Sequence, residues 1–369
     1  MTGRIKSWLM NAMLILVAIG FTLGLTEIGL RLLYPQPTGL SHQDPYGLAM
    51  HWPGITRSLP RYGTRVSFNS VGMRDTEHTL LKPTGVFRVL LLGDSFMEAL
   101  QVPFEESFPF LLQQDLARQT GKLVEVVNAG VSGWGTDDEL RYLTRYGLQY
   151  HPDLVVVAMT IHNDISDNFR QDWHTVQDGV LVEQPKVPAS YLGYKVTELK
   201  AFLATHFQTY QLWRKVRHRS EIRLIGAQLN SHIVQLFQEP PSERIRSGFE
   251  FTALLLQRIQ EVTAAAGGET ALVLLPLRVQ VTDSSFAAFV SAAGADTTTM
   301  PLTAPQRRLL STASGLRMPV VDLLPVFRDW TAAGGADPYL EWDGHWNATG
   351  HRVAASVTAR ALVADGLIK

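Results

Sequence analysis

No cysteine occurs anywhere in the 369 residues. This excludes a disulfide framework, a cysteine zinc site, a cysteine nucleophile and a lipid-modified N-terminal cysteine. It does not fix the compartment, because a chain this long needs no disulfide in an oxidising space. Charge of one sign is also missing: 33 Lys and Arg stand against 34 Asp and Glu, a net −1. Nucleic acid is therefore not the expected partner, since phosphate binding needs a basic surplus. There is no internal repeat and no long low-complexity tract. With 46% hydrophobic and 18% charged residues the composition is globular, which excludes disorder, collagen and coiled coil as the main architecture. The length suits one large domain or two smaller ones.

One long apolar run is present, at the N-terminus. From Trp8 to Leu25 no residue is charged and only Asn11 and Thr22 are markedly polar. At 1.5 Å per residue the run makes about 27 Å of helix, close to the thickness of a bilayer core. Glu27 and Arg31, an i,i+4 pair, extend the helix, and Pro35 is the expected stop. Arg4 and Lys6 on the N-terminal flank predict that end in the cytoplasm and the body on the extracytoplasmic (periplasmic or extracellular) side. Two alternatives are a cleaved signal peptide and a buried core helix. Thr26-Glu27-Ile28-Gly29-Leu30 offers no small-residue cleavage site, and the run lacks a polar stripe, so residues 1–35 are expected to be an uncleaved single-pass anchor.

Residues 36–86, rich in Pro, Gly and aromatics, are expected to form an irregular collar, with only Arg65 to Phe68 suggesting a strand. From residue 87 to 369 strands and helices alternate. Phe87–Leu92, Leu123–Val127, Leu154–Met159, Ala271–Leu275 and Val320–Leu323 read as strands. Helices are expected at about 105–119, 136–147, 195–237, 243–265, 304–314 and 349–364, with Thr136 and Glu139 reading as a capping box. The alternation predicts an α/β fold of three α/β/α layers around a mostly parallel sheet. A largely helical insertion spans about 165–241.

Four polar clusters follow strand ends, which a parallel sheet gathers at one edge. They are Gly93-Asp94-Ser95, Asn128-Ala129-Gly130, His162-Asn163-Asp164 and Asp343-Gly344-His345. Together they hold a hydroxyl, an imidazole, carboxylates, a glycine amide and a side-chain amide, the groups acyl transfer needs. A neutral imidazole activates the hydroxyl, a carboxylate fixes the tautomer, and N–H donors hold the oxyanion. Taken singly each has a plainer reading. Ser95 with Glu98 fits a capping box, Gly130 fits a turn, Asn163 and Asp164 fit a cap, and Asp343-Gly344 fits a turn. Their joint occurrence in order favours the catalytic reading.

The blocks Leu90-Leu91-Leu92-Gly93-Asp94-Ser95-Phe96, Val127-Asn128-Ala129-Gly130-Val131, Pro152-Asp153-Leu154-Val155-Val156 and Asp343-Gly344-His345-Trp346-Asn347 resemble those of the SGNH (GDSL-type) serine hydrolases. The resemblance covers about 87–164 and 340–365, and implies an SGNH/flavodoxin-like fold and an esterase needing no metal or cofactor. It implies Ser95 as nucleophile, His345 as base, Asp343 as its partner, Gly130 and Asn163 as oxyanion donors, and Asp94 as a support of the nucleophile turn. Two places depart from the family pattern. Ile161 stands where Gly usually precedes the Asn, and one residue rather than two separates Asp343 from His345. The short spacing is similar to that of membrane-associated members that modify exported polysaccharides. His351 is read as structural, and the Asn347-Ala348-Thr349 sequon as incidental.

Arg214, Lys215, Arg217, Arg219 and Arg223 give the insertion a basic patch beside Tyr210 and Trp213. It reads as a solvated helix face, a lid, a contact for anionic lipid headgroups or a groove for an acidic polysaccharide. The expected function is a membrane-anchored esterase acting on acyl esters, acetyl above all, of an exported carbohydrate. The alternatives are an O-acetyltransferase of the same fold, which would need a membrane acyltransferase partner as donor, and an inactive binding or assembly module.

Overall fold

The computed structural model describes residues 2–34, 39–44, 46–169, 173–184 and 191–369. In chain order, α1 (Thr2–Leu33) is followed by two small antiparallel hairpins. These are β1 (Ser41–Gln43) with β2 (Ala49–His51) and β3 (Thr56–Leu59) with β4 (Thr64–Ser67). Then come β5 (Val86–Gly93), α2 (Ser95–Glu98), α3 (Phe108–Thr120), β6 (Leu123–Gly130), α4 (Thr136–Arg145), β7 (Leu154–Thr160) and α5 (Ile161–Asn168). A hairpin of β8 (His174–Gln177) and β9 (Val180–Glu183) precedes α6 (Tyr191–His206), α7 (Gln208–Phe237) and α8 (Glu243–Ala265). The chain ends with β10 (Glu269–Leu275), α9 (Asp283–Ala292), α10 (Ala304–Leu316), β11 (Val320–Asp322), α11 (Leu323–Ala332) and α12 (Ala348–Ala364).

Five strands form one parallel sheet in the order β11-β10-β7-β5-β6. Both faces are covered, which is why its strands read as unbroken apolar runs. Along β7, Val155, Val157 and Met159 enter one apolar layer, and Leu154, Val156 and Ala158 enter the other. The first layer is closed by Leu140 and Leu143 of α4, Leu255 and Ile259 of α8 and Leu309 of α10. The second is closed by Leu112 and Leu116 of α3 and Ala354, Ala355 and Leu362 of α12. Each such large side chain, fully buried, contributes about 1.5–3 kcal/mol. In register, Gly93 stands opposite Gly130 on one side and Ala158 on the other, so the segments leaving β5, β6 and β7 emerge together.

The collar is more regular than its composition suggests. Its two hairpins pack beside the nucleophile turn, and the strand expected at Arg65 to Phe68 is observed as Thr64–Ser67. Thr64 Oγ1 donates to the Leu100 carbonyl at 2.8 Å, and buried Arg74 donates to the carbonyls of Glu98 (2.8 Å) and Val102 (2.6 Å). The helical stretches expected around 195–237 are α6 and α7, separated at Phe207. Helix α1 includes a segment, Lys6–Leu33, long and apolar enough to cross a membrane by length and composition; its most apolar 18 residues have a mean hydropathy of 2.1 and none of them is buried. Pro35, its expected stop, lies outside the described residues.

Candidate active site

Ser95 opens α2, two residues past the end of β5. Its cap is not the Ser95–Glu98 box suggested by spacing. Asp94 is the N-cap, its Oδ1 accepting the Phe96 N–H at 2.9 Å. Glu98 instead turns into the protein, where it pairs with His51 Nε2 at 2.8 Å and accepts the Ser132 N–H at 2.8 Å. Burial pushes the Glu98 carboxyl up, but His51 and the Ser132 bonds outweigh that and hold it below the ordinary value. Glu98 thus ties both the collar, through His51, and the turn after β6, through Ser132, to the helix that carries Ser95.

His345 Nε2 lies 2.8 Å from Ser95 Oγ, and His345 Nδ1 is hydrogen-bonded to Asp343 Oδ1. Such a pairing places the proton on Nδ1 and leaves Nε2 to accept from the serine hydroxyl. The one-residue spacing works because Gly344 has φ +80°, a left-handed turn that lets both flanking side chains meet. The loop is fixed on both sides. Leu340 N–H donates to the His345 carbonyl at 2.8 Å, and fully buried Trp346 packs on Phe96 and Phe327. Asn347 caps α12 by accepting from Thr349 and Gly350 N–H, and its amide donates to the Asp337 carbonyl, so the sequon's nitrogen is built into the fold.

Asp343 has two further partners that the sequence reading missed, both from the β3–β4 turn. Tyr62 Oη donates to Asp343 Oδ2 at 3.1 Å, and an Arg61 guanidinium nitrogen lies 3.3 Å from the same oxygen. The Tyr62 ring stacks on Trp342, 5.5 Å between centroids, and the Arg61 guanidinium lies over Trp342 at 4.7 Å. Burial, then the Asp343 charge, pushes the Tyr62 hydroxyl above its ordinary value, so it stays protonated and donating.

Asn163, in the first turn of α5, donates through Nδ2 to Asp94 Oδ2 at 3.0 Å, and Thr160 Oγ1 donates to Asp94 Oδ1 at 3.0 Å. Asp94 therefore links the ends of β5 and β7. The second hydrogen of the Asn163 amide is not used in that bond. Ile161, at the place of the family's glycine, is fully buried in the apolar layer.

Gly130, expected as an oxyanion donor, ends β6, and its N–H donates to Asn128 Oδ1 at 3.0 Å. A Cβ there would lie 2.5 Å from Met97 Cβ and 2.7 Å from the Glu98 nitrogen. The glycine is needed for the close approach of α2 to β6.

Behind the nucleophile turn, Glu139 and Asp164 are fully buried together with Asp94. Neither Glu139 oxygen has a hydrogen-bond partner, nor has Asp164 Oδ1. Burial first, and then the neighbouring carboxylates, pushes Glu139 and Asp164 well above the ordinary carboxylate range. Glu139 is therefore not the capping residue of α4: Asp138 does that, accepting the Gly135 N–H at 3.1 Å. His351 is structural as expected: it is buried, its Nδ1 accepts the Phe108 N–H at 3.2 Å, and burial pushes it down to about 3. Among the described residues no group of three His, Cys, Asp or Glu side chains is placed to hold a metal ion.

A three-layer fold with a serine at the exit of its first sheet strand defines the class, a serine ester hydrolase. The chain belongs to the GDSL-like lipase/acylhydrolase family, whose pattern matches residues 91–353. An arylesterase of Vibrio mimicus is 26% identical over 149 residues, 37% of this chain and 69% of that protein. Among solved structures, an acetyl xylan esterase (15% identity, 75% of this chain, 100% of that one) superposes with a TM-score of 0.42. TesA (16% identity, 74% and 97%) superposes with a TM-score of 0.38.

Proposed function

We propose that the chain is a membrane-anchored serine esterase, with α1 in the bilayer and the catalytic domain on the extracytoplasmic side, that removes small acyl groups, acetyl above all, from an exported carbohydrate. The observation that carries it is the hydrogen-bonded series Ser95 Oγ, His345 Nε2, His345 Nδ1, Asp343. Ser95 Oγ attacks the ester carbonyl while His345 Nε2 takes its proton, and the imidazolium is stabilised by Asp343. The tetrahedral oxyanion is held by the Ser95 N–H and the second Asn163 amide hydrogen. Collapse expels the alcohol, which takes the proton from His345, and leaves an acyl-serine. Water then attacks that ester with His345 again as base, releasing the carboxylic acid and free Ser95. Exposed Trp342, beside Asp343 and stacked on Tyr62, supports a sugar substrate, because a flat aromatic face accepts a sugar ring.

The test is labelling of the full chain with a fluorophosphonate, mapped by peptide mass. Label on Ser95 that is lost in His345→Ala is expected. A folded protein that takes no label at Ser95 refutes the mechanism. For the substrate, release of acetate from an acetylated oligosaccharide is expected, with turnover abolished in Ser95→Ala.

A further inference from the structure

The insertion holds a second concave site, remote in sequence from the catalytic blocks. A groove of about 550 Å³ lies between α6, α7 and the first hairpin, lined by Lys200, Tyr210, Trp213, Arg214, Arg217 and His42 among others. Among the described residues no carboxylate lines it. Among the described residues neither Arg214 nor Arg217 has an acidic partner, and the Arg217 guanidinium lies over the Trp213 ring at 5.2 Å. The side chains of Arg219 and Arg223, expected in the same patch, lie outside the described residues.

The position of this groove relative to α1 is fixed by hydrogen bonds. Glu27, two residues past the apolar run, accepts the backbone N–H groups of Gln208 and Thr209, each at 2.9 Å, at the start of α7. Arg31 donates to the His206 carbonyl at 2.6 Å, and Lys215 Nζ to Tyr34 Oη at 3.2 Å. Both junctions advance by seven residues on each helix, from Glu27 and Gln208 to Tyr34 and Lys215, so α7 runs alongside the exit of α1 in the same direction. At 1.5 Å per residue, Tyr210 to Arg217 rise from about 3 to 14 Å beyond Gln208. That interval covers the polar layer, roughly 5–8 Å deep, on either side of a bilayer core. Large apolar side chains are exposed on the same two helices: Leu199 (55%) and Phe202 (45%) on α6, Trp213 (51%) and Val216 (66%) on α7. Aromatic rings with cations at this depth are the composition of a membrane interface.

We propose that this groove is a binding site for the phosphate-bearing headgroup of an anionic phospholipid of the membrane that α1 spans. Arg214, Arg217 and Lys200 meet the phosphate, and Phe202, Trp213 and Val216 lie against the acyl boundary. The site seats the catalytic domain at a fixed height on the bilayer surface. It rests on the reading of α1 as an anchor and is independent of which ester Ser95 cleaves.

The experiment purifies the full chain from mild detergent containing phosphatidylcholine and phosphatidylglycerol at 7:3, and measures the co-purified lipids by mass spectrometry. Wild type is expected to enrich phosphatidylglycerol over the input. The triple variant Lys200→Gln, Arg214→Gln, Arg217→Gln is expected to lose about tenfold or more of that preference, while hydrolysing a soluble ester at the wild-type rate. Arg214→Lys with Arg217→Lys keeps the charge and retains most of the enrichment. No enrichment in wild type, or equal enrichment in the triple variant, overturns the proposal. Binding of sn-glycerol 3-phosphate as tight as that of the lipid overturns the membrane source. Recovery of the full chain from lysed cells without detergent overturns the anchor and this site with it, and leaves the esterase reading standing.

Discussion

Replacing Tyr62 by Phe removes one atom from the catalytic series without removing the ring that stacks on Trp342. The lost hydrogen bond runs from Tyr62 Oη to Asp343 Oδ2 at 3.1 Å. A bond to a charged group contributes about 1.5–3 kcal/mol. The Asp343 side chain is only 6% exposed, so water replaces the hydroxyl poorly, but the Arg61 guanidinium remains 3.3 Å from the same oxygen. The low end of the range therefore applies. Only the part of the interaction that grows as His345 becomes an imidazolium enters the rate. Tyr62→Phe is thus expected to lower kcat/KM by about 3- to 10-fold, or roughly 0.7–1.4 kcal/mol of barrier. The assay is p-nitrophenyl acetate hydrolysis by the full chain, normalised to the serines titrated by fluorophosphonate, with thermal melts as a check of folding. Asp343→Asn is expected to cost far more, about 10³- to 10⁴-fold, because the imidazole loses its tautomer and its counter-charge. The two substitutions must also interact: in the Asp343→Asn background, Tyr62→Phe is expected to cost nothing further. The same loss in both backgrounds would show that Tyr62 does not act through Asp343. A wild-type rate in the single variant would remove the collar hairpin from the mechanism altogether.

Gly130→Ala puts a Cβ 2.5 Å from Met97 Cβ and 2.7 Å from the Glu98 nitrogen, so it is expected to lower stability by about 1–3 kcal/mol in chemical denaturation and to weaken Ser95 labelling through displacement of α2. Glu139 binds its proton more tightly folded than unfolded, so stability contributed at low pH is lost as pH rises above the ordinary carboxylate value of 4.5; Glu139→Gln is expected to flatten that fall and to raise Tm more at pH 8 than at pH 5, with equal shifts counting against the reading. His351 is held neutral with its value pushed down to about 3, so wild type loses stability as pH falls below 6.5; His351→Leu removes this acid slope, strands the Phe108 N–H at a cost of about 1–3 kcal/mol, and leaves fluorophosphonate labelling of Ser95 intact.

The parts of the molecule that were legible in the sequence are those whose physics is local. Leu154–Thr160 reads as a strand because every residue in it is buried, and a run covered on both faces carries no polar alternation to confuse it. The exits of β5 and β7 and the Asp343-Gly344-His345 loop read as a site because parallel strands must end at one edge. What escaped was made by distance along the chain. Tyr62 meets Asp343 across 281 residues, and its own surroundings, Pro60-Arg61-Tyr62-Gly63, spell only a hairpin turn. The two apparent capping boxes failed for a related reason. Ser95–Glu98 and Thr136–Glu139 have the spacing, but a carboxylate at that position serves the helix only if no tertiary demand is stronger. Glu98 is taken by His51 from the collar, and Glu139 is carried into the interior by the face of α4 that packs on α8. In both helices the neighbouring acid does the capping instead, Asp94 in one and Asp138 in the other. The short Asp-Gly-His spacing follows the same logic in reverse. A local device, the left-handed Gly344, restores a contact that a longer loop would otherwise make, and the collar then holds Asp343 from its far side.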